Sequence, residues 1–229
     1  MKTIGLIGGM SWESTVTYYQ IINETVKEQL GGLHSAKCIL YSVDFHEIEE
    51  CQAKGDWEKS GKILAEAGKN LEKAGADFII ICTNTMHKVI EYIKKEVTIP
   101  ILHIAEVTAD LILEKNIRNI ILLGTKYTME QDFYKEKLIE KGINVIIPDK
   151  DDIETVNNII YDELCLGIIN KNSKKEFLKI IEKLKKQGEG LIAGCTVIGL
   201  LIKQEDFDIP LFDTALIHAE KAALYAVKD

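Results

Sequence analysis

Short apolar segments alternate with longer amphipathic segments along almost the whole chain. The apolar segments are rich in β-branched residues, which is typical of strands buried on both faces of a parallel sheet. The longer segments are typical of helices, because several begin at capping residues or end at glycine. We predict strands over residues 3–8, 37–44, 77–81, 97–104, 118–124, 143–147 and 190–194. We predict helices over residues 12–30, 56–74, 86–95, 105–115, 151–165, 173–187 and 215–228, and one more that starts at the capping-box pattern of residues 128–131.

Landmarks of the first half of the chain recur in the second half at a nearly constant separation. They are Thr83 and Cys195 (195 − 83 = 112), Pro100 and Pro210 (210 − 100 = 110), and Gly8 and Gly124 (124 − 8 = 116). We therefore predict an α/β fold with two similar doubly wound, Rossmann-like domains, related by a pseudo-twofold axis and with the active site in the cleft between them. The predicted domains are residues 1–105 and 106–213, with the C-terminal helix at 214–229 packing back on the first.

Composition and charge narrow the class of protein. Hydrophobic residues make up 46% and charged residues 28% of the chain, as in an ordinary globular protein. A formal charge of −8 without a basic stripe argues against a nucleic-acid partner. No apolar run approaches membrane length and the start of the chain does not resemble a signal peptide, so we expect no membrane partner and a cytoplasmic location. The five cysteines are scattered without zinc-binding spacing, so we expect reduced thiols and no metal site.

The glycines at positions 5, 8 and 9 follow or interrupt the first predicted strand. They lack the GxGxxG spacing of dinucleotide-binding proteins, so neither NAD nor FAD is an expected cofactor. A glycine pair lets a backbone approach a small ligand closely, although a merely tight turn explains it equally well. The polar stretch at 45–52, after the second predicted strand, is expected to be an irregular loop.

Small polar residues follow the third predicted strand, and a helix is predicted directly after them. Thr83, Asn84 and Thr85 thus lie where open α/β sheets bind ligands and where helix N–H groups favour an anion. Cys195 follows the seventh predicted strand in the same way, and a thiol at a helix start is either a nucleophile or base, or a structural core cysteine. Because successive strand residues point to opposite faces, we expect Thr83 to face Cys195 across the cleft and Cys82 to be a core thiol.

Three motifs occur in order over essentially the whole chain. They are Leu-Ile-Gly-Gly-Met-Ser-Trp-Glu-Ser at 6–14, Cys-Thr-Asn-Thr-Met-His at 82–87 and Gly-Cys-Thr at 194–196. Their combination resembles the cofactor-independent aspartate/glutamate racemase family, above all its L-aspartate/glutamate-specific amino acid racemases. The resemblance implies two α/β domains, a homodimer, no pyridoxal phosphate or other cofactor, and a cysteine from each domain that removes or returns the α-proton of L-aspartate or L-glutamate.

Carried over by position, the resemblance implies that Thr83 and Cys195 are the catalytic pair. The substrate-binding residues that it implies are Met10, Gln52, Asn84, Thr85 and Thr196. The chain departs from the family pattern twice. Thr83 replaces a cysteine, and a hydroxyl is far too weakly acidic to form an alkoxide at neutral pH without a strong base beside it. Val197 stands where many relatives have a glutamate that could orient the thiol or accept its proton.

These departures predict an asymmetric racemase. We expect Cys195 to exchange the α-proton of one enantiomer readily, and Thr83 to protonate the other face slowly or through water. The resemblance implies that the enantiomer for Cys195 is the L-form. Two alternatives remain open: a decarboxylase or isomerase of the same superfamily that uses one thiol, or a protein that binds a dicarboxylate without catalysis. His87 is expected to be a capping or core histidine, with orientation of Thr83 as the other interpretation. Lys126 is expected to be solvated, with a carboxylate partner as the other interpretation.

Overall fold

The computed structural model describes residues 1–228 and contains two four-stranded parallel sheets with helices packed around them. The chain divides into two compact units. One unit comprises Met1–Ile104 together with the C-terminal segment that begins at His218, and the other comprises Ala105–Ile217. The predicted two-domain α/β fold is therefore confirmed.

The first unit has the strand order β2-β1-β3-β4, and every neighbouring pair is parallel. Its strands are β1 (Ile4–Gly8), β2 (Cys38–Ser42), β3 (Phe78–Ile81) and β4 (Ile101–Leu102). Its helices are α1 (Trp12–Leu30), α2 (Phe45–Lys54), α3 (Trp57–Lys73) and α4 (Ile90–Glu96), with a 3₁₀ helix at Thr85–Val89. Helix α5 (Ile104–Glu114) leads into the second unit.

The second unit has the order β6-β5-β7-β8, again with parallel neighbours. Its strands are β5 (Asn119–Gly124), β6 (Asn144–Ile146), β7 (Gly190–Gly194) and β8 (Leu211–Asp213). Its helices are α6 (Lys126–Glu130), α7 (Asp132–Ile139), α8 (Lys150–Asp162), α9 (Lys171–Leu184) and α10 (Ile198–Leu201), with 3₁₀ helices at Leu164–Leu166 and Gln204–Asp206. Helix α11 (Thr214–Val227) ends the described chain and crosses the boundary between the units.

The two units repeat one topology, as the recurring landmarks predicted. Each sheet places its first strand second in order, its third strand beside the first, and its fourth strand at the edge. Strands β1, β3 and β7 are buried along their whole length, which explains their near-continuous apolar sequences. One apolar core lies within each unit, around Ile79 and Leu64 in the first and around Leu191 and Phe177 in the second.

The stretch at 45–52 is helical, so its prediction as an irregular loop was wrong. Asp44 caps α2 by accepting a hydrogen bond from the backbone N–H of His46 at 3.0 Å. Ile48, Cys51 and Gln52 are the buried residues of this helix, at the spacing of one helical face. Gln52 is polar, so the sequence does not show a continuous apolar face, and the helix was not predicted.

Two predicted helix starts were also misplaced. Helix α6 begins earlier than the capping-box pattern indicates, because the Thr125 side chain accepts the backbone N–H of Thr128. Helix α9 is capped by Asn170, whose side chain accepts the N–H of Asn172. Ser173 donates instead to the carboxylate of Glu163 at 2.8 Å.

Strand β4 is much shorter than the predicted strand at 97–104. The carboxylate of Glu72 accepts the backbone N–H groups of Thr98 and Ile99 at 2.9 and 3.2 Å, so these groups are not available to a strand ladder. Pro100 has no N–H to donate. Only Ile101 and Leu102 pair with β3.

Helix α11 contacts the start of the first unit. The Lys2 N–H donates to the carbonyl of Ala226 at 2.8 Å, and Phe78 on β3 packs edge-to-face on Tyr225 with a ring separation of 4.8 Å. Among the described residues, no helix has the length and apolar character needed to cross a membrane.

Candidate active site

Each catalytic candidate follows a strand that lies beside the topological switch point of its sheet. In the first sheet the chain leaves β1 toward β2 on one side and returns to β3 on the other, which opens a crevice at the carboxyl ends of β1 and β3. Thr83 follows β3 by two residues, and its counterpart after β7 in the second sheet is Cys195. Thr83 and Cys195 therefore occupy equivalent places in their own sheets.

The turn after β1 is held by Thr15 of α1. The Thr15 hydroxyl accepts the Gly9 N–H and donates to the carbonyl of Ser11, both over 2.9 Å. Gly9 has a φ of 90°, and a Cβ at this position would lie 2.3 Å from the carbonyl oxygen of Val43. The turn therefore requires glycine both for its dihedral angle and for its closeness to neighbouring backbone.

Met10 and Ser11, the next two residues of this turn, differ in polarity and in their surroundings. The Met10 side chain belongs to the apolar core of the first unit. The Ser11 hydroxyl oxygen is buried without a hydrogen-bond partner in the described structure. Such an atom is costly to bury, so it is suited to a polar ligand group. Sequence reasoning did not single out Ser11, and the signal that could have found it is its place between the glycine pair and α1.

His87 fixes the backbone at Thr83. The Nδ1 of His87 lies 2.8 Å from the carbonyl oxygen of Thr83, and its Nε2 accepts the backbone N–H of Ile104 at 3.3 Å. Because Nε2 is an acceptor, the proton must be on Nδ1, which donates to the carbonyl. The bond is to the main chain and not to the Thr83 hydroxyl, so His87 positions residue 83 without acting as its base.

His87 is one of three buried histidines in the first unit. Its ring centre lies 4.5 Å from that of His103 and 6.0 Å from that of His218. His218 donates from Nε2 to the carbonyl of Leu102 and accepts from the Tyr18 hydroxyl at Nδ1, each over 2.9 Å. Burial lowers the pKa of His218 to about 4 and places the pKa of His87 well below its usual range. These two histidines are therefore neutral at physiological pH.

The remaining candidates of the first unit are buried polar side chains. Gln52 donates from Nε2 to the Met86 sulfur over 3.0 Å, and it is only 4% exposed. Asn84 and Thr85 are similarly enclosed, at the start of the 3₁₀ helix that follows β3. Asn84 and Thr85 directly follow β3, and Gln52 contacts Met86 in the same segment. Their amide and hydroxyl groups can hydrogen-bond a polar ligand there.

Cys82 is fully buried, as predicted for a core thiol. Burial raises the pKa of its thiol far above the usual range. The neighbouring Thr83 is 8% exposed. Of the two side chains at this strand end, the threonine is therefore the more accessible one.

The Cys195 thiol does not have the low pKa expected at a helix start. The backbone N–H groups of Thr196 and Val197 point to the sulfur and lower its pKa, but burial outweighs them and the negative charge of Asp213 adds to the rise. The resulting pKa is about 11. Helix α10 begins three residues later and has four residues, which is too short for a strong dipole.

The residues after Cys195 are buried. Thr196 is 4% exposed, and Val197 is 1% exposed and packs in the apolar core of the second unit. At the end of β8 lies a residue that sequence reasoning missed, Asp213. The same separation of 110 that relates Pro100 to Pro210 relates His103 to Asp213 (213 − 103 = 110), so the repeat was the signal that could have found it.

Lys126 and the potential metal-ligating side chains are the remaining polar features. Lys126 pairs with the carboxylate of Glu154, so the interpretation with a carboxylate partner is confirmed. Within residues 1–228, no group of three or more His, Cys, Asp or Glu side chains is arranged to hold a metal ion.

The chain is similar to known proteins in family, sequence and fold. Residues 7–222 match the model of a family described as Asp/Glu/hydantoin racemase. The crystal structure of a candidate Asp/Glu racemase from Yersinia pestis is 56% identical, with a TM-score of 0.92 and full coverage of both chains. An aspartate racemase homologue from Pyrococcus horikoshii OT3 is 40% identical, with a TM-score of 0.86 and full coverage of both chains.

A curated relative of this chain is also a racemase. The broad specificity amino-acid racemase RacX of Bacillus subtilis (strain 168) is 25% identical over 215 residues, which are 93% of this chain and 92% of that protein. The family match, over residues 7–222, therefore extends over both units.

Proposed function

Because the chain belongs to the Asp/Glu/hydantoin racemase family, we propose that it is a cofactor-independent racemase of aspartate or glutamate. In this proposal Cys195 and Thr83 act on opposite faces of the substrate α-carbon. The observation that carries the proposal is the equivalence of the two residues, each of which follows the third strand of a sheet with the same strand order. An enzyme that inverts a stereocentre needs such a pair, one group for each face.

The proposed reaction starts from the L-enantiomer. The Cys195 thiolate removes the α-proton, so that the Cα–H bond breaks and an S–H bond forms. The electron pair left on carbon delocalises into the α-carboxylate, where hydrogen-bond donors stabilise the developing charge. A proton then reaches the opposite face from the Thr83 hydroxyl, or from a water bound to it. The hydroxyl regains its proton from water, and the Cys195 thiol releases its proton to water, which restores the thiolate.

Substrate binding is assigned to the polar groups around the two strand ends. Asn84, Thr85 and Thr196 hold the polar groups of the substrate, and Gln52 and Met10 are further contacts. Support comes from the burial of the four polar residues in this set, since enclosed amides and hydroxyls orient a ligand strongly. For Met10 the support is weaker, because its side chain packs in an apolar core.

The chemistry of the two groups supports unequal activity on the two enantiomers. A pKa of about 11 leaves roughly one Cys195 thiol in ten thousand ionised at pH 7. The Thr83 hydroxyl is a much weaker acid still, and the nearest histidine bonds to its backbone. Proton exchange from the Cys195 side should therefore be the faster of the two, and its rate should rise about tenfold per pH unit below pH 11.

Isotope exchange in heavy water tests this function. We expect deuterium to enter the α-position of L-aspartate or L-glutamate faster than that of the D-enantiomer. C195A should remove the exchange with L-substrate, whereas T83A should mainly slow the appearance of the opposite enantiomer. Equal exchange into both enantiomers, or full exchange in C195A, would contradict the asymmetric pair.

The high pKa of Cys195 also favours a specific alternative, a dicarboxylate-binding protein without catalysis. Calorimetric titration with L-aspartate and L-glutamate, run beside the exchange assay, separates the two functions. Binding without exchange at any pH up to 10 would establish the alternative. The proposal also includes a homodimer in the cytoplasm, for which light scattering of the purified protein and fractionation of cells are the measurements.

A further inference from the structure

The carboxylate of Asp213 lies at the same edge of the second sheet as Cys195. Strand β8 pairs with β7 in a register that sets Asp213 beside Ala193. Paired residues of parallel neighbours point to the same face of the sheet, so Asp213 lies on the face of Ala193. Both Cys195 and Ala193 contact the apolar core on that face. Asp213 therefore stands on the Cys195 side of the sheet.

One oxygen of the Asp213 carboxylate is hydrogen-bonded, and the other lies against Gly199. Its Oδ1 accepts the backbone N–H groups of Ala215 and Leu216 at 2.9 and 3.2 Å, which caps α11. Its Oδ2 lies 2.0 Å from the position that a Cβ would take on Gly199. Gly199 belongs to α10, four residues beyond Cys195, so the carboxylate occupies space next to the helix that follows the thiol.

Gly199 also contacts the neighbouring cation. The ammonium group of Lys203 donates to the carbonyl of Gly199. Lys203 is the charged side chain that acts on Asp213 and lowers its pKa, together with the two capping N–H groups, while burial raises it. The negative charge of Asp213 in turn acts on the Cys195 thiol and raises its pKa. The charge of Lys203 therefore acts on Asp213, and the charge of Asp213 acts on Cys195.

We propose that Asp213 is a positioning residue that sets the proton affinity of the Cys195 thiol, and that Gly199 is glycine in order to admit its carboxylate. This inference rests on the proposed function, in which Cys195 exchanges the α-proton. It places a carboxylate near the thiol although position 197 provides none, because the Val197 side chain lies in the apolar core and carries no charge.

The physical effect is on the strength of the base. A carboxylate near a thiolate repels it, so the sulfur binds a proton more tightly. When the α-proton passes from carbon to sulfur, the thiolate charge disappears and the repulsion from Asp213 is relieved. No proton passes through Asp213, which acts on the sulfur only through its charge. The thiolate is thereby less abundant at neutral pH, but each thiolate is a stronger base.

Alkylation of Cys195 as a function of pH tests the inference without any assay of racemisation. The probe is iodoacetamide, and the modified peptides are quantified by mass spectrometry, with Cys38 as an internal reference. In D213N the amide oxygen still caps α11, but the charge is gone. We expect the midpoint of Cys195 alkylation to fall by about one pH unit, a tenfold change in the ionisation constant. D208N, which removes an exposed carboxylate of the same unit, should leave the midpoint unchanged.

The G199A variant gives an independent test. Its new methyl group must displace the Asp213 carboxylate, so the Cys195 midpoint should again fall, although Asp213 is present. In the isotope-exchange assay with L-substrate, D213N should reach its half-maximal rate at a lower pH and should have a lower plateau at high pH. A merely structural role would move neither midpoint.

An unchanged alkylation midpoint in folded D213N and G199A would overturn the inference, whatever the exchange assay shows. Absence of exchange in the unmodified protein would overturn the proposed function and leave the alkylation result standing. The two failures are therefore distinguishable.

Discussion

His87 donates its Nδ1 proton to the backbone carbonyl of Thr83 over 2.8 Å, while its Nε2 accepts the N–H of Ile104. One ring thus ties the residue after β3 to the first residue of α5. Both interpretations of His87 made from the sequence describe part of this arrangement. The ring is a buried core histidine, and it orients residue 83 through the main chain.

Replacement of His87 should cost stability and affect one face of the reaction more than the other. H87A leaves a buried carbonyl and a buried N–H without their partner, and we expect a loss of about 2–4 kcal/mol in the free energy of unfolding. H87Q, whose amide can donate and accept, should recover part of that loss. Urea unfolding measures the stability, and heavy-water exchange should show a larger loss for D-substrate than for L-substrate. A similar loss for both enantiomers would argue against a specific effect on Thr83.

A thiol at position 83 should make the two faces more equal. T83C introduces a group whose ordinary pKa is many units below that of an aliphatic hydroxyl, so it can serve as the second base. We expect the ratio of D- to L-substrate exchange to rise at least tenfold, as measured by loss of the α-proton NMR signal. T83V retains the shape but removes the hydroxyl, and it should lower the ratio. If T83C and T83V behave alike, the group at 83 does not deliver the proton.

Stability should fall as the pH is lowered from about 6.5 to 4 because of His218. Its pKa is about 4 in the folded protein and near 6.5 in the unfolded chain, so the unfolded state binds the proton first. The contribution is fully present above pH 6.5 and is lost as the pH falls to 4, at about 1.4 kcal/mol per pH unit. His87, whose pKa is also lowered by burial, adds to the slope in the same direction.

Urea midpoints measured at several pH values give this slope. H218Q should be less stable at pH 7, because the bonds to Tyr18 and Leu102 are perturbed, and it should show a flatter dependence between pH 6.5 and 4. H46Q, which changes a highly exposed histidine side chain, is the matched control and should retain the slope. An unaltered slope in H218Q would assign the acid sensitivity to other groups.

Glutamate at position 197 should destabilise this chain and should not improve its catalysis. The Val197 side chain is buried in the apolar core of the second unit, so V197E places a carboxyl group among hydrocarbon. We expect a loss of about 2–4 kcal/mol in the free energy of unfolding. V197T, of similar shape, should cost less, and thermal melts of the three proteins provide the comparison. A stable V197E with faster exchange would show that the side chain at 197 reaches the substrate.

Much of the secondary structure follows from the local pattern of apolar and polar residues. Helix α1 spans the predicted range of 12–30, and the apolar segments before Thr83 and Cys195 are strands as predicted. The recurrence of landmarks predicted the repeat of one topology, and both sheets show it. Helix α2 was missed because its buried face includes Gln52, and β4 was overestimated because Glu72 takes the N–H groups that precede it.

For the candidate site, the sequence by itself determined which residues follow the third strand of each half, and hence that Thr83 and Cys195 are equivalent. It could not determine the pKa of Cys195, because burial and the charge of Asp213 outweigh the local N–H groups. Nor could it decide what His87 bonds to. Residue identities and periodicity are local properties of the chain, whereas proton affinity depends on which distant side chains packing brings beside a group, and only the tertiary structure decides that.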